Sequence, residues 1–218
     1  MKGFFIKDLH LMLNQKKMLV MFFVIGLLLT ISNSDMSFAV SYTMFVMAIM
    51  ASGTISYDTF ENGMAYLMVL PAKRRDYVME KYILVFATAL ITGVLISGVA
   101  FAVASGQGNS IDAKGLLLQC GGLFLTLMIM MSFMLPVNIK YGAEKGRLVL
   151  FAVFAIVFIA AYIIRNTNVF SQEQIENVMM KLMTLSKTGL ITSLCVGSLL
   201  IMLISMFVSI KIMEKKEF

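Results

Sequence analysis

The chain has 218 residues, of which 60% are hydrophobic and only 14% are charged, whereas an ordinary soluble domain carries about 25% charged residues. A soluble fold of this size cannot bury so much apolar surface, so the composition excludes a soluble domain and indicates an all-α integral membrane protein. The net charge of +6 would suggest nucleic acid in a soluble protein. Here the charges lie in short stretches between apolar runs, and we expect no nucleic-acid partner.

The N-terminal segment, residues 1–17, predicts an amphipathic helix that precedes the first apolar run. Its apolar and polar side chains alternate at helical spacing, with Phe5, Leu9, Met12 and Leu13 on one face and Lys7, His10, Asn14 and Lys17 on the other. A basic face turned toward lipid headgroups is typical of a helix that lies on the inner membrane surface. We interpret this leader as retained, because no small-residue cleavage pattern follows it.

Six apolar stretches are long enough, at about 20 residues per crossing, to predict transmembrane helices. The first long apolar region divides into two spans at a polar turn over residues 32–35. The predicted spans are residues 18–34, 36–57, 82–105, 116–137, 148–164 and 189–210. We expect residues 1–218 to form one transmembrane domain.

The basic residues predict the orientation of these six spans. Of the 18 lysine and arginine residues, fourteen lie in the N-terminus, residues 58–81, residues 138–147 and the C-terminus, and four lie in the alternate connections. Segments rich in lysine and arginine remain in the cytoplasm. We therefore expect both termini inside, which agrees with an even number of spans.

The connection between the second and third predicted spans contains a short helix that ends sharply. Asp58 and Glu61 have the spacing of a helix N-cap and its reciprocal partner, and the residue before Pro71 avoids helical geometry. The apolar stripe consists of Phe60, Met64 and Leu67, and Arg74, Arg75 and Lys81 follow in a basic element that runs into the third span. We therefore predict a rigid helix facing the cytoplasm.

The segment over residues 171–187 predicts a second amphipathic helix, on the outer surface. Ser171 and Gln174 resemble a capping box, and an apolar stripe at helical spacing follows them. Such a helix caps the exit of a transport pathway or simply fills the loop, and the sequence leaves both interpretations open.

The residues needed for catalysis or metal binding are missing from the sequence. There is no phosphate-binding Gly-x-x-x-x-Gly-Lys-Ser/Thr loop and no set of catalytic side chains, so we expect no enzymatic activity. We interpret Cys120 and Cys195 as small apolar residues without a metal or a disulfide. The predicted spans contain no ionisable residue, which argues against transport driven by protons or sodium and indicates energy supplied from outside the membrane.

Residues 57–82 resemble the cytoplasmic loop of type-2 ATP-binding-cassette (ABC) exporter permeases of bacteria. That loop has an acidic residue, a glycine, a Leu-x-x-Leu-Pro stretch, an arginine and a lysine that opens the third span. The matching positions are Asp58, Glu61, Gly63, Leu67, Leu70, Pro71, Arg74 or Arg75, and Lys81. The narrower group that the chain resembles is the short permeases of Gram-positive exporters of peptides such as phenol-soluble modulins.

The resemblance implies a coupling helix that docks into a cleft on a separate ATPase, with two permease subunits joined to two ATPases in the cytoplasmic membrane. ATP and magnesium would be bound by the ATPase and not by this chain. We hypothesise that Phe60, Met64 and Leu67 fill the cleft. Arg74 and Arg75 would pair with acidic groups on the ATPase or with lipid phosphates, or would only mark the topology.

The cargo is not encoded in any recognisable site, so substrate-binding residues cannot be named. An uncharged, methionine-rich bundle favours an amphipathic or hydrophobic cargo, and the resemblance favours a peptide that is exported. Two alternatives are the substrate-binding membrane subunit of a vitamin importer and a membrane immunity or accessory protein that does not transport.

Overall fold

Almost all of the residues that the computed structural model of the chain describes are helical. The described residues are 2–32, 36–60, 63–69, 73–106, 113–142, 145–146, 148–149, 151–152, 155–156, 158–159, 162 and 187–216. The helices with defined ends are α1 (Lys2–Asn14), α2 (Lys16–Ile31), α3 (Met36–Thr59), α4 (Gly63–Val69), α5 (Arg74–Gly106), α6 (Ala113–Tyr141) and α7 (Lys187–Lys215).

Four of these helices, α3, α5, α6 and α7, are long and apolar enough to cross a membrane. A fifth candidate is the pair α1 and α2, which are bent by 72° relative to one another. The described residues therefore show four or five spans, and six spans remain a prediction. The predicted span over 148–164 lies partly outside the described residues. Of the outer helix predicted over 171–187, only residue 187 is described.

The predicted helices differ from the observed helices mainly at their ends. The third predicted span begins at 82, but α5 begins at Arg74, so the basic element and the span form one helix. The fourth ends at 137, but α6 continues past Pro136 to Tyr141. Gly142 then adopts a φ of 78° and donates its backbone N–H to the Asn138 carbonyl at 2.9 Å, which is a common way to end a helix.

Helix α1 forms as predicted, but its buried face differs from the predicted apolar face. The structure buries Phe4, Asp8 and Met12, one turn apart on the side that packs against the bundle. Leu9 and Leu13, which we placed on one apolar face with Met12, are exposed. The reason is that Asp8 has ionic partners within the bundle, which periodicity alone cannot indicate.

The bundle is built around two main helix pairs, α3 with α5 and α6 with α7. Its core includes Met44 and Ile55 of α3, Leu84 of α5 and Met131 of α6. Helix α2 packs on α3 at a close approach where a Cβ added to Gly26 would overlap the hydroxyl oxygen of Thr43.

Candidate functional site

One end of the bundle brings together the segments that the sequence marks as basic. The end of α3 and the start of α5 are joined through α4, and α1 packs against both long helices. The end of α6 lies nearby, since a Cβ on Gly142 would stand 3.7 Å from the Thr59 hydroxyl. The Gln15 amide at the α1–α2 break donates to the Tyr57 hydroxyl at 2.6 Å. We call this region the junction end.

Lys81 lies at the centre of the junction end and has no exposed surface. Its ammonium group forms ion pairs with Asp8 of α1 and, at 2.8 Å, with Asp58 of α3. It also donates to the Thr54 hydroxyl at 2.9 Å. One lysine of α5 therefore holds α1 and α3 together.

A second set of contacts surrounds the two carboxylates. Lys7 of α1 lies 3.0 Å from Asp8 Oδ1 and also forms an ion pair with Asp58. The hydroxyl of Tyr77, one turn before Lys81, donates to Asp58 at 3.0 Å. The buried ion network, as we name it, consists of Lys7, Asp8, Thr54, Asp58, Tyr77 and Lys81.

The charges within the buried ion network balance, since two lysines face two aspartates. Removing one partner of a buried ion pair leaves an uncompensated charge and costs about 3–5 kcal/mol. The network is therefore a stiff connection among α1, α3 and α5. Glu80 is buried beside it, and its carboxylate oxygens have no hydrogen-bond partner among the described residues.

The structure gives Asp58 and Lys81 a different role from the predicted one. Asp58 lies within the last turn of α3, and its carboxylate binds Lys7, Tyr77 and Lys81, so the interpretation of Asp58 as a helix cap is wrong. Lys81 is fully buried and cannot touch an ATPase. Both residues therefore connect helices of the same chain at the junction end.

Helix α4 buries part of the stripe that we expected to face a partner. Met64 is only 3% exposed and Leu67 packs against the core, so Met64 cannot fill a cleft on another protein. Phe60, by contrast, is 70% exposed. Gly63 permits the close approach of the start of α4 to the end of α3, because a Cβ there would stand 3.1 Å from the Asp58 carbonyl oxygen.

The exposed side of α4 carries two residues that sequence reasoning missed. Tyr66 is 76% exposed and Val69 is 85% exposed. They are three positions apart, so they share a helix face. This apolar pair at helical spacing, next to the predicted stripe, was the sequence pattern that could have indicated the exposed face. Tyr66 and Val69 form what we call the α4 surface. Glu61, Leu70 and Pro71 lie outside the described residues.

The two arginines after α4 differ in their surroundings. Arg75 is exposed, as expected for a residue that meets a partner or lipid. Arg74 instead donates to backbone carbonyls at the end of α7, at 2.7 Å for Glu214 and 3.1 Å for Met213. The two adjacent arginines are therefore not interchangeable.

These features define a polytopic helical membrane protein with a short helix mounted between two long helices. The chain matches the family described as "ABC-2 family transporter protein" over residues 3–214, and it belongs to that family of ABC transporter permeases. Membership implies a membrane location and an ABC-type ATPase as partner. Neither the curated proteins nor the solved structures contain a match.

Proposed function

We propose that the chain is the permease subunit of an ATP-driven exporter in the bacterial cytoplasmic membrane. Its cargo is an amphipathic or hydrophobic molecule, most simply a peptide. The α4 surface carries this proposal, because two large apolar side chains, Tyr66 and Val69, are exposed on a short helix at the basic end of a membrane bundle, and Phe60, which precedes that helix, is exposed as well. Family membership supports a permease over a vitamin-binding subunit or an accessory protein.

In this proposal residues 1–218 form one permease domain with six spans and both termini in the cytoplasm. The basic segments support that orientation. A second permease subunit, identical or related, completes the membrane pathway, and two ATPase subunits bind ATP and magnesium. The junction end then lies on the cytoplasmic side, where the α4 surface faces the ATPase.

The α4 surface acts as the docking face, and the buried ion network acts as its anchor. When the ATPases close, a force on α4 acts on the end of α3 and the start of α5, which flank it. Because Lys81 connects both helices to α1, the three helices move as one unit. A ligand can drive a conformational change only if its contacts differ between the two states of the bundle. Closure of the ATPases against α4 would supply that difference.

The interior of the spans supports an apolar cargo. Residues 36–57, 82–105, 116–137 and 189–210 contain no Asp, Glu, Lys or Arg. Charged groups in the bundle interior are expensive and accompany ion or proton pathways. Away from the buried charges at the junction end, these stretches offer a path that suits an amphipathic molecule taken from the membrane.

Co-purification of the tagged chain with the ABC-type ATPase encoded nearest to it tests the docking face. A Tyr66→Asp, Val69→Asp variant should lose at least about tenfold of the ATPase affinity, because two charges would have to be desolvated at the contact. Tyr66→Phe keeps the apolar ring and should bind as the wild type does. Tyr141→Asp changes an exposed aromatic residue at the same end and is the positional control. Equal binding by the double variant and the wild type would overturn the proposal.

A further inference from the structure

The first residue of α5 contacts the backbone at the end of α7. Arg74 is the first residue of α5, and its Nη1 atom lies 3.1 Å from the Met213 carbonyl, 2.7 Å from the Glu214 carbonyl and 2.9 Å from the Lys216 carbonyl. The last four carbonyls of a helix lack partners within it and carry partial negative charge. The guanidinium group supplies both the donors and the positive charge that this helix end needs.

The end of α7 is in turn attached to the end of α6. The Lys216 ammonium group donates to the Ile139 carbonyl at 3.0 Å, within the last turn of α6. Burial lowers the pKa of Lys216, which agrees with its place against the bundle. A series of contacts therefore runs from the α4–α5 connection through Arg74 to α7, and through Lys216 to α6.

We infer that Arg74 is a positioning residue that transmits the movement of α4 to α7, and through Lys216 to α6. The inference rests on the proposed function, since it assumes that an ATPase moves α4. Among the described residues, α4 packs against α3, which in turn packs against α1, α2, α5 and α6. Arg74 provides an additional route to the end of α7. It acts beside the direct packing of α5 on α6 and α7 and the hydrogen bonds between the Tyr82 hydroxyl and Ser205 and Ser209.

The neighbouring residue separates this role from a general effect of positive charge. Arg75 is exposed and has the same charge and almost the same position in the chain. Arg75→Ala is therefore the matched control for Arg74→Ala. Arg74→Lys keeps the charge but replaces the planar fork with a single ammonium group, so we expect it to restore the response only in part.

Hydrogen–deuterium exchange of the purified permease–ATPase complex, with and without a non-hydrolysable ATP analogue, tests the inference. In the wild type and in Arg75→Ala, the analogue should change the exchange of residues 205–215 at the end of α7. In Arg74→Ala the ATPase should still bind with unchanged affinity, but this nucleotide-dependent difference should fall at least about threefold. A purely structural role would raise exchange in both states and leave the difference intact.

Retention of the full nucleotide-dependent difference in Arg74→Ala would overturn the inference. If the wild-type chain bound no ATPase, the proposed function would fail instead, and the same measurement on the permease alone would still test the attachment. There, Arg74→Ala should raise the exchange of the last turn of α7 and Arg75→Ala should not. Identical exchange in these two variants would show that Arg74 does not hold that helix end.

Discussion

At the scale of single residues, Lys81 illustrates how position in the fold changes the meaning of a charge. The lysine opens the third predicted span, where a topology marker or a partner contact is the ordinary interpretation. In the structure it is buried between Asp8 and Asp58, two residues that are 50 positions apart in the sequence. Spacing along one helix predicts neighbours within that helix only. It therefore could not predict the contacts of Lys81 with Asp8 and Asp58, which lie on two other helices.

A double-mutant cycle on Lys81 and Asp8 should measure a large favourable coupling. Lys81→Met leaves the two aspartates with only Lys7 and should destabilise the detergent-solubilised protein by about 3–5 kcal/mol. Adding Asp8→Asn should restore part of that loss, because the uncompensated charge is removed. Chemical unfolding of the purified variants provides the measurement. Lys73→Met, at an exposed lysine, is the control, and strictly additive losses in the cycle would contradict the ion network.

At the scale of helices, the close approach of α2 and α3 depends on the absence of a side chain at Gly26. A methyl group there would overlap the Thr43 hydroxyl oxygen, whose hydrogen bond to the Ala39 carbonyl, at 2.8 Å, holds it in place. Gly26→Ala should therefore cost about 1–3 kcal/mol through overpacking, although alanine favours a helix.

Thermal unfolding in detergent can compare Gly26→Ala with two matched variants. Gly53→Ala places the same methyl group in open space on α3 and should leave stability unchanged or slightly higher. Thr43→Ala in the Gly26→Ala background should recover most of the loss, because the overlapping oxygen is removed. A Gly26→Ala protein as stable as the wild type would show that α2 does not pack on α3 in this way.

The sequence predicted the helices themselves better than their faces. Apolar runs indicated α3, α5, α6 and α7, since length and composition alone determine whether a helix can cross a membrane. The ends were less accurate, because α5 begins at Arg74 and not at residue 82, and α7 ends at Lys215 and not at residue 210. The buried side of α1 was assigned incorrectly because Asp8, which is buried with Phe4 and Met12, was not considered as part of that face. In α4, Met64 and Leu67 of the predicted stripe pack inward and Tyr66 is exposed, a choice that depends on packing against α3.

At the scale of the whole molecule, the basic segments that we expected on one side of the membrane meet at one end of the bundle. Contacts between Arg74 and the end of α7, and between Lys216 and the end of α6, join three of them. Asp8 with Lys81 joins the N-terminal helix to the same end. The contacts agree with a shared side, while the orientation relative to the cytoplasm remains part of the proposal.

Cysteine labelling in intact bacteria tests that orientation. In a background with Cys120→Ala and Cys195→Ala, a membrane-impermeant maleimide should label Gln107→Cys from outside. Lys73→Cys, at the junction end, should be labelled only after the membrane is permeabilised. The reverse pattern would contradict a cytoplasmic location of the α4 surface.

The central claim is that the α4 surface contacts an ABC-type ATPase, and photo-crosslinking in living cells tests it most directly. A photoreactive phenylalanine analogue placed at Tyr66, the 76% exposed position on α4, should give a crosslinked product that contains both the chain and the ATPase. The same analogue at Tyr77, which is fully buried, should give none. An ATPase adduct at Tyr66 alone would support the account, and its absence in a complex that still co-purifies would contradict it.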